Sequence, residues 1–226
     1  MASKNIMQSL TITREKSLTV LVSEQIERMI TTGIIKPGDR INEKHLADSL
    51  DVSRGIVREA HRGLERSGLL ISIPHKGVFV RQVSPKELQE NTEIRAVITG
   101  FICAEAAKKI SPKQLENLQE LIVAMDRHLA ADLFGEYYKT NIAFHDSLLD
   151  AASHLRAASI YNQLVAESNL ARKIVLSNHD HMLASNNEHK AIFKAVNSRD
   201  PEAARQAGES HVKQGYARYS QQPHDS

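Results

Sequence analysis

Leu18, Leu21, Val22, Ile26, Met29 and Ile30 recur at helical spacing early in the chain, and Thr31-Thr32-Gly33 followed by Lys36-Pro37-Gly38 ends the pattern. Asn42 is placed to cap a second, short helix carrying Leu46, Ala47 and Leu50, which stops at Asp51-Val52. Ser53 can cap a third, whose apolar stripe is Ile56, Val57, Ala60 and Leu64 and whose stop is Ser67-Gly68. Two short β-branched runs follow, 69–73 and 78–80, separated by Pro74-His75-Lys76-Gly77, and they predict a hairpin. Three helices followed by a two-stranded wing make a winged helix-turn-helix.

From Pro85 onward the pattern is helical throughout, without strand-like alternation. Breaks and caps at Ser111-Pro112, Gly135, Ser153 and Asp200-Pro201 divide it into helices near 85–109, 112–131, 136–151, 153–177, 180–197 and 200–219. Ile94, Val97, Ile98, Phe101 and Ile102 form a broad apolar face on the first of these, and Leu115, Leu118, Leu121, Ile122 and Met125 one on the second; both are expected to be core. The predicted fold is therefore mainly α, an N-terminal winged helix-turn-helix followed by an antiparallel bundle of about six helices. The expected division is a polar, mobile arm over 1–13, the winged unit over 14–82, the helical unit over 85–219, and a flexible tail over 220–226.

Length and composition agree with two small domains: 226 residues, 41% hydrophobic and 25% charged, values that exclude a mostly disordered chain. No apolar run is long enough to span a membrane, and residues 1–16 lack the apolar stretch of a signal peptide, so a cytoplasmic location without membrane contact is expected. Cys103 is the only cysteine, which excludes an internal disulfide and a four-thiolate metal site; within an apolar helix face it is expected to be a small core residue. The net charge of +2 conceals two unlike halves. Residues 1–82 hold thirteen basic and nine acidic side chains, and the remainder sixteen and eighteen, whereas eight of the 11 histidines lie in the second part. Such asymmetry suggests a polyanionic partner for one unit and metal chemistry in the other.

Arg54, Arg58, Arg62 and Arg66, spaced by four, form one stripe on the third helix opposite its apolar face. This is either a nucleic-acid contact surface or a solvated face on which Glu59 and Glu65 pair locally. Its place after a short helix and turn, and before a glycine-tipped hairpin, favours the first. Arginine's planar fork can take guanine O6 and N7 together or clamp a phosphate. Arg54 and Arg58, near the helix start, are the best candidates, with Gly55 leaving room for backbone approach. Lys44 on the preceding helix and Lys76 and Gly77 at the wing tip are placed to meet the DNA backbone. Arg62 and Arg66 lie farther up the axis, toward the groove rim.

The order and spacing of Pro37-Gly38-Asp39-Arg40, Leu46-Ala47, Asp51-Val52-Ser53-Arg54, Val57-Arg58-Glu59-Ala60, Gly68-Leu69 and Gly77-Val78-Phe79-Val80 resemble the DNA-binding domain of GntR-type transcription regulators. That family usually carries Thr-Pro or a similar pair after the arginine at 54 and Leu after the alanine at 60, where this chain has Gly55-Ile56 and His61.

Asn141 and His145 stand one helical turn apart, so both can face one ion, and His189 and His211 fall on the last two expected helices. Three neutral imidazoles suit zinc, nickel or a similar ion. Spacing alone leaves open that these are satisfied or surface histidines; His179-Asp180-His181 reads as an exposed turn and helix cap. Glu93-Ile94-Arg95, Ala106-Ala107, Phe144-His145, Glu188-His189, Arg199-Asp200 and His211 resemble the FCD effector domain of the FadR-type branch. The resemblance implies a divalent metal, zinc or nickel, held by Asn141, His145, His189 and His211, with Asn in place of the usual Asp. It also implies a small carboxylate effector paired with Arg95, whose other option is a surface ion pair. Tyr137, Tyr138 and Arg172 are further candidates for the pocket wall. Six helices suggest the VanR-like subgroup. A single DNA-reading motif per chain implies a homodimer on a short, near-palindromic operator. The expected function is a repressor released by its effector. The alternatives are a regulator for which the ion is the signal, a three-histidine metalloenzyme, for which no HExxH motif supplies a base, and a DNA-organising protein without sequence preference.

Overall fold

The computed structural model describes residues 17–221; the expected arm over 1–13 and the tail from 222 lie outside the described residues. The winged unit comprises α1 (Leu18–Thr31), α2 (Glu43–Ser49), α3 (Arg54–Arg66), β1 (Leu70–Ile73) and β2 (Gly77–Val80). The predicted caps are in place: Asn42 accepts from the His45 amide at 3.1 Å and Ser53 from the Ile56 amide at 3.4 Å. The strands pair antiparallel from Leu70–Val80 to Ile73–Gly77 around a turn in which His75 and Gly77 have positive φ, and Arg40 bridges to Phe79 at the outer edge of the wing. Val22, Ile26 and Ile30 of α1 meet Leu46, Val57, Leu64 and Val80 in one core. Leu18 and Leu21, expected within that stripe, face outward, because the buried face of α1 follows Val22, Ile26 and Ile30.

The second unit comprises α4 (Pro85–Lys109), α5 (Pro112–Ala130), α6 (Phe134–Ala152), α7 (Leu155–Glu167), α8 (Asn169–Val175), α9 (His179–Asn197) and α10 (Pro201–Ser220). The bundle thus has seven helical segments where about six were expected, and the count that suggested the VanR-like subgroup no longer supports it. The difference lies at 153–177, which is two helices. At the break the Ser168 hydroxyl donates to the Leu164 carbonyl at 2.8 Å and the Asn91 amide donates to the same oxygen at 3.1 Å, so side chains occupy an acceptor of the helical ladder.

The core of this unit is built from Ile102, Leu118, Met125, Phe144, Leu148 and Ile192 and their neighbours. Helix α4 packs along α10, and a Cβ on Gly208 would lie 2.8 Å from Cys103 Sγ and 3.2 Å from the Thr99 carbonyl, so the crossing leaves no room for a side chain there. One expectation is overturned on α4. Ile94, Val97 and Phe101 are 55%, 61% and 39% exposed, whereas the buried face of the helix carries Asn91, Thr92, Arg95, Thr99 and Cys103. Of these three, Phe101 meets the His154 ring edge-on at 5.1 Å between centroids, and the opposite stripe is the one facing the bundle.

The two units touch through the end of α7 and through α8. Asn169 donates to the Ser67 carbonyl at 2.7 Å and accepts from the Tyr138 hydroxyl at 2.6 Å, Lys173 pairs with Glu27, and Leu170 packs on the winged core. Gly68, at φ +76°, closes this joint: a Cβ there would sit 1.8 Å from the Ala166 carbonyl oxygen. None of the helices among the described residues is long and apolar enough to cross a membrane.

Candidate DNA-reading face and metal pocket

The buried stripe of α3 turns its arginines outward, and the side chains of Arg54, Arg58 and Arg62 are all more than half exposed. Lys44, Gly55 and Lys76 are exposed as well, and Gly77 is half-buried beside the Arg40 guanidinium. Local pairing accounts for one arginine: Arg62 donates to Glu59 at 2.9 Å. Arg66 is drawn away from this face to the cleft against α6, α7 and α8. Arg58 is held from another helix, its Nε donating to Glu43 Oε2 at 2.8 Å. Glu43 carried no signal in the sequence, because the contact joins two helices 15 positions apart.

In the helical unit α6 supplies Asn141 and His145, α9 supplies His189, and α10 supplies His211. One ring nitrogen from each of the three histidines lies within 4.8 Å of the others. Burial pushes all three imidazoles below the usual histidine range; neighbouring His211 adds to this for His145 and His189, while Glu188 partly opposes it at His211. They are therefore neutral at neutral pH, the form that ligates metal. Nδ1 of His211 sits 2.8 Å from Glu188 Oε2, leaving Nε2 as the atom it offers, and Arg218 holds Glu188 through two contacts of 2.6 and 3.0 Å. His189 Nδ1 is buried without a hydrogen-bond partner among the described residues. These residues fit a divalent ion: three converging neutral nitrogens, one oriented by a carboxylate. Glu188 and Arg218 were not identified as supports from the sequence, although Glu188 adjoins a candidate ligand.

Asn141 is buried beside this cluster with its amide nitrogen 3.3 Å from His189 Nε2, while its oxygen accepts from Arg172 at 3.4 Å. The oxygen thus faces the Arg172 guanidinium and the amide nitrogen faces the histidines. Arg95 lines the same pocket, buried, with Nε unpartnered among the described residues; burial and then Arg172 lower its guanidinium to about 10. The alternative of a surface ion pair is overturned, because Arg95 points into the bundle and no carboxylate pairs with it among the described residues. The pocket is lined by Arg95, Asn141, His145, Tyr161, Arg172 and His211, among others, and by no Asp or Glu among the described residues. Tyr137 is instead a core residue whose hydroxyl donates to the Met182 carbonyl at 3.0 Å, and Tyr138 donates its hydroxyl to Asn169 at the joint between the two units. Cys103 is buried and its thiol pushed up to about 12, which makes it unreactive. His179, at the exposed start of α9, pairs with Asp132 at 2.9 Å, and the cap itself is Asn178.

Two family descriptions match this chain: "Bacterial regulatory proteins, gntR family" over residues 18–80 and "FCD domain" over residues 90–214. The chain belongs to the GntR family, in its FCD branch. It is 30% identical over 189 residues to the HTH-type transcriptional regulator YdhC of Bacillus subtilis, covering 80% of this chain and 82% of that protein. It is 27% identical over 216 residues to the HTH-type transcriptional repressor RspR of Escherichia coli, covering 91% and 92%. Among solved structures, McbR of E. coli superposes with a TM-score of 0.68 at 22% identity over 92% of this chain and 99% of that one. Lar, which controls expression of the Listeria monocytogenes agr system, does so with a TM-score of 0.62 at 18% identity over 92% and 98%. This GntR protein is accordingly a DNA-binding transcription regulator and not an enzyme, and its exposed arginine face belongs to the domain by which the family binds DNA.

Proposed function

We propose that this GntR regulator is a homodimeric repressor that leaves its operator when a small carboxylate binds in a pocket centred on a divalent ion, zinc or nickel. The observation that carries this reading is the buried Arg95, without a carboxylate partner among the described residues, in a pocket whose wall includes His145 and His211 of the three-histidine cluster. A bare guanidinium in low dielectric is costly and calls for an anion. His145, His189 and His211 would hold the ion, with Asn141 a neutral fourth donor. When bound, the ion would supply a positive anchor for an anionic oxygen. Arg95 would take the carboxylate, and Arg172, on α8, would sense it.

In this reading residues 14–82 read DNA through Lys44, Arg54, Gly55, Arg58, Lys76 and Gly77, and residues 85–219 bind effector and dimerise, acting in the cytoplasm. The exposed stripe of Ile94, Val97 and Phe101 suits a two-fold contact that would set two recognition helices about one DNA turn apart on a near-palindrome. The repressor sign follows the relative RspR, which is named a repressor. Helix α8 offers the route between ligand and DNA, since Arg172 faces the pocket while Asn169 and Lys173 hold the winged unit.

The test begins with selection of genomic fragments by the purified protein at about 150 mM salt, where nonspecific binding is weak. Operator affinity is then followed by fluorescence anisotropy with small mono-, di- and tricarboxylates, on metal-loaded and chelator-treated protein. The expected result is a carboxylate that weakens binding about tenfold or more, only with metal present and not in Arg95→Ala. An ion that switches binding alone, with no carboxylate adding to it, would replace this reading with a metal-responsive regulator.

A further inference from the structure

Glu43 is the first residue of α2, and its backbone is fixed by the Asn42 cap and by Leu46 and Ala47, buried one turn further on. Its carboxylate lies beneath the recognition helix at the meeting point of three side chains. Oε2 accepts from Arg58 Nε at 2.8 Å and stands 4.0 Å from an Arg54 terminal nitrogen, and Oε1 stands 3.8 Å from the Nδ1 of His61. Arg58 is still 58% exposed at its side chain, and its terminal nitrogens have no partner among the described residues.

A guanidinium donates along two edges, and the contact with Glu43 occupies Nε. The edge left over, the two terminal nitrogens, is the fork that can reach guanine O6 and N7 together. An anchored Nε fixes the plane and direction of that fork before DNA arrives, so less of the flexible side chain's freedom is lost on contact. The same carboxylate acts oppositely on nonspecific binding. It places a negative charge beside the face that approaches phosphates and neutralises part of the field of Arg54 and Arg58.

We propose that Glu43 is a positioning residue for sequence discrimination: it aims Arg58 at a base edge and weakens binding to DNA on which Arg58 finds no matching base. The inference rests on the reading that Arg58 contacts a base. A carboxylate is an unfavourable group on a DNA-facing surface unless it organises what stands on it, and here it holds Arg58 from another helix.

The experiment measures affinity of the full chain for its selected operator and for a scrambled duplex across a salt series, in wild type, Glu43→Ala, Glu43→Gln and Arg58→Ala, with thermal melts of each. Glu43→Ala is expected to bind scrambled DNA about threefold tighter through the gain in net charge and to lose about tenfold in the operator-to-scrambled ratio. Glu43→Gln keeps an acceptor for Nε without the charge, so it should bind scrambled DNA tighter yet retain most of the ratio. A merely structural role would lower the melting temperature and both affinities in parallel. A ratio unchanged within about twofold in a folded Glu43→Ala, with the ratio lost in Arg58→Ala, overturns the role of Glu43 alone. A ratio unchanged in Arg58→Ala removes the base contact and the proposal with it. If Glu43→Ala fails to fold, the same comparison is made on Glu43→Gln, where unaltered affinity for scrambled DNA overturns the electrostatic half.

Discussion

His61 is 2% exposed, and neither ring nitrogen has a hydrogen-bond partner among the described residues. Burial lowers its pKa below 6.5, against smaller upward pulls from Glu43 and Glu65, so the ring is neutral in the folded protein. Replacing it with Leu, the residue the family usually carries there, removes two unsatisfied polar atoms from the core between α2 and α3. A buried polar group without a partner costs about 1–3 kcal/mol, so His61→Leu should stabilise the winged unit by about 1–2 kcal/mol at pH 7. The gain should grow in acid. With the folded-state pKa depressed, the unfolded chain takes up the proton first, so the stability contributed by the neutral ring is present above 6.5 and is lost as pH falls below it. Between the folded-state pKa and 6.5 the wild type loses at most about 1.4 kcal/mol per pH unit. The difference between variant and wild type should therefore be larger at about pH 5.5 than at pH 7. Hydrogen exchange of α3 amides in the full chain, corrected for intrinsic rates, measures it locally, and the other buried histidines cancel because both proteins carry them. A destabilised variant at pH 7, or a gap of the same size at both pH values, would refute the reasoning.

Asn141→Asp should tighten binding of zinc or nickel by about tenfold or more, since a carboxylate adds charge to three neutral imidazoles; competition against a chromophoric chelator reads this, and unchanged affinity would mean that position 141 does not face the ion. Gly68→Ala should lower the melting temperature and raise hydrogen exchange around 166–170 while leaving metal binding intact. The expected loss is at least about 1–2 kcal/mol for the left-handed backbone, plus the displacement needed to relieve a Cβ 1.8 Å from the Ala166 carbonyl oxygen; an unaltered melt would show that the two units are not joined there.

What was legible beforehand follows from local chemistry. Asn42 and Ser53 cap the helices they were expected to cap, because a side-chain oxygen bonding an amide three residues on needs no tertiary partner. Asn141 and His145 share a face because one helical turn separates them, and the hairpin forms around Pro74-His75-Lys76-Gly77 because those residues accept its backbone geometry. The split at Ser168 was not legible, because the carbonyl that ends α7 is also taken by Asn91, 73 positions away. The apolar run of α4 could not by itself say which face turns inward, since Ile94, Val97 and Phe101 look like core until the rest of the bundle is seen packing on the opposite side.

By itself the sequence determined the order of the elements apart from the break at Ser168, the caps at Asn42 and Ser53, the arginine stripe of α3 and the residues from which a metal pocket could be built. All of these depend on periodicity or on contacts within one turn. Only the tertiary structure decided that three histidines from α6, α9 and α10 converge within 4.8 Å, that Arg172 joins Arg95 in an acid-free pocket, and that Glu43 grips Arg58. Each of these is a juxtaposition of separate helices, fixed by how their buried faces pack, and packing is a property of the whole chain that no local spacing encodes.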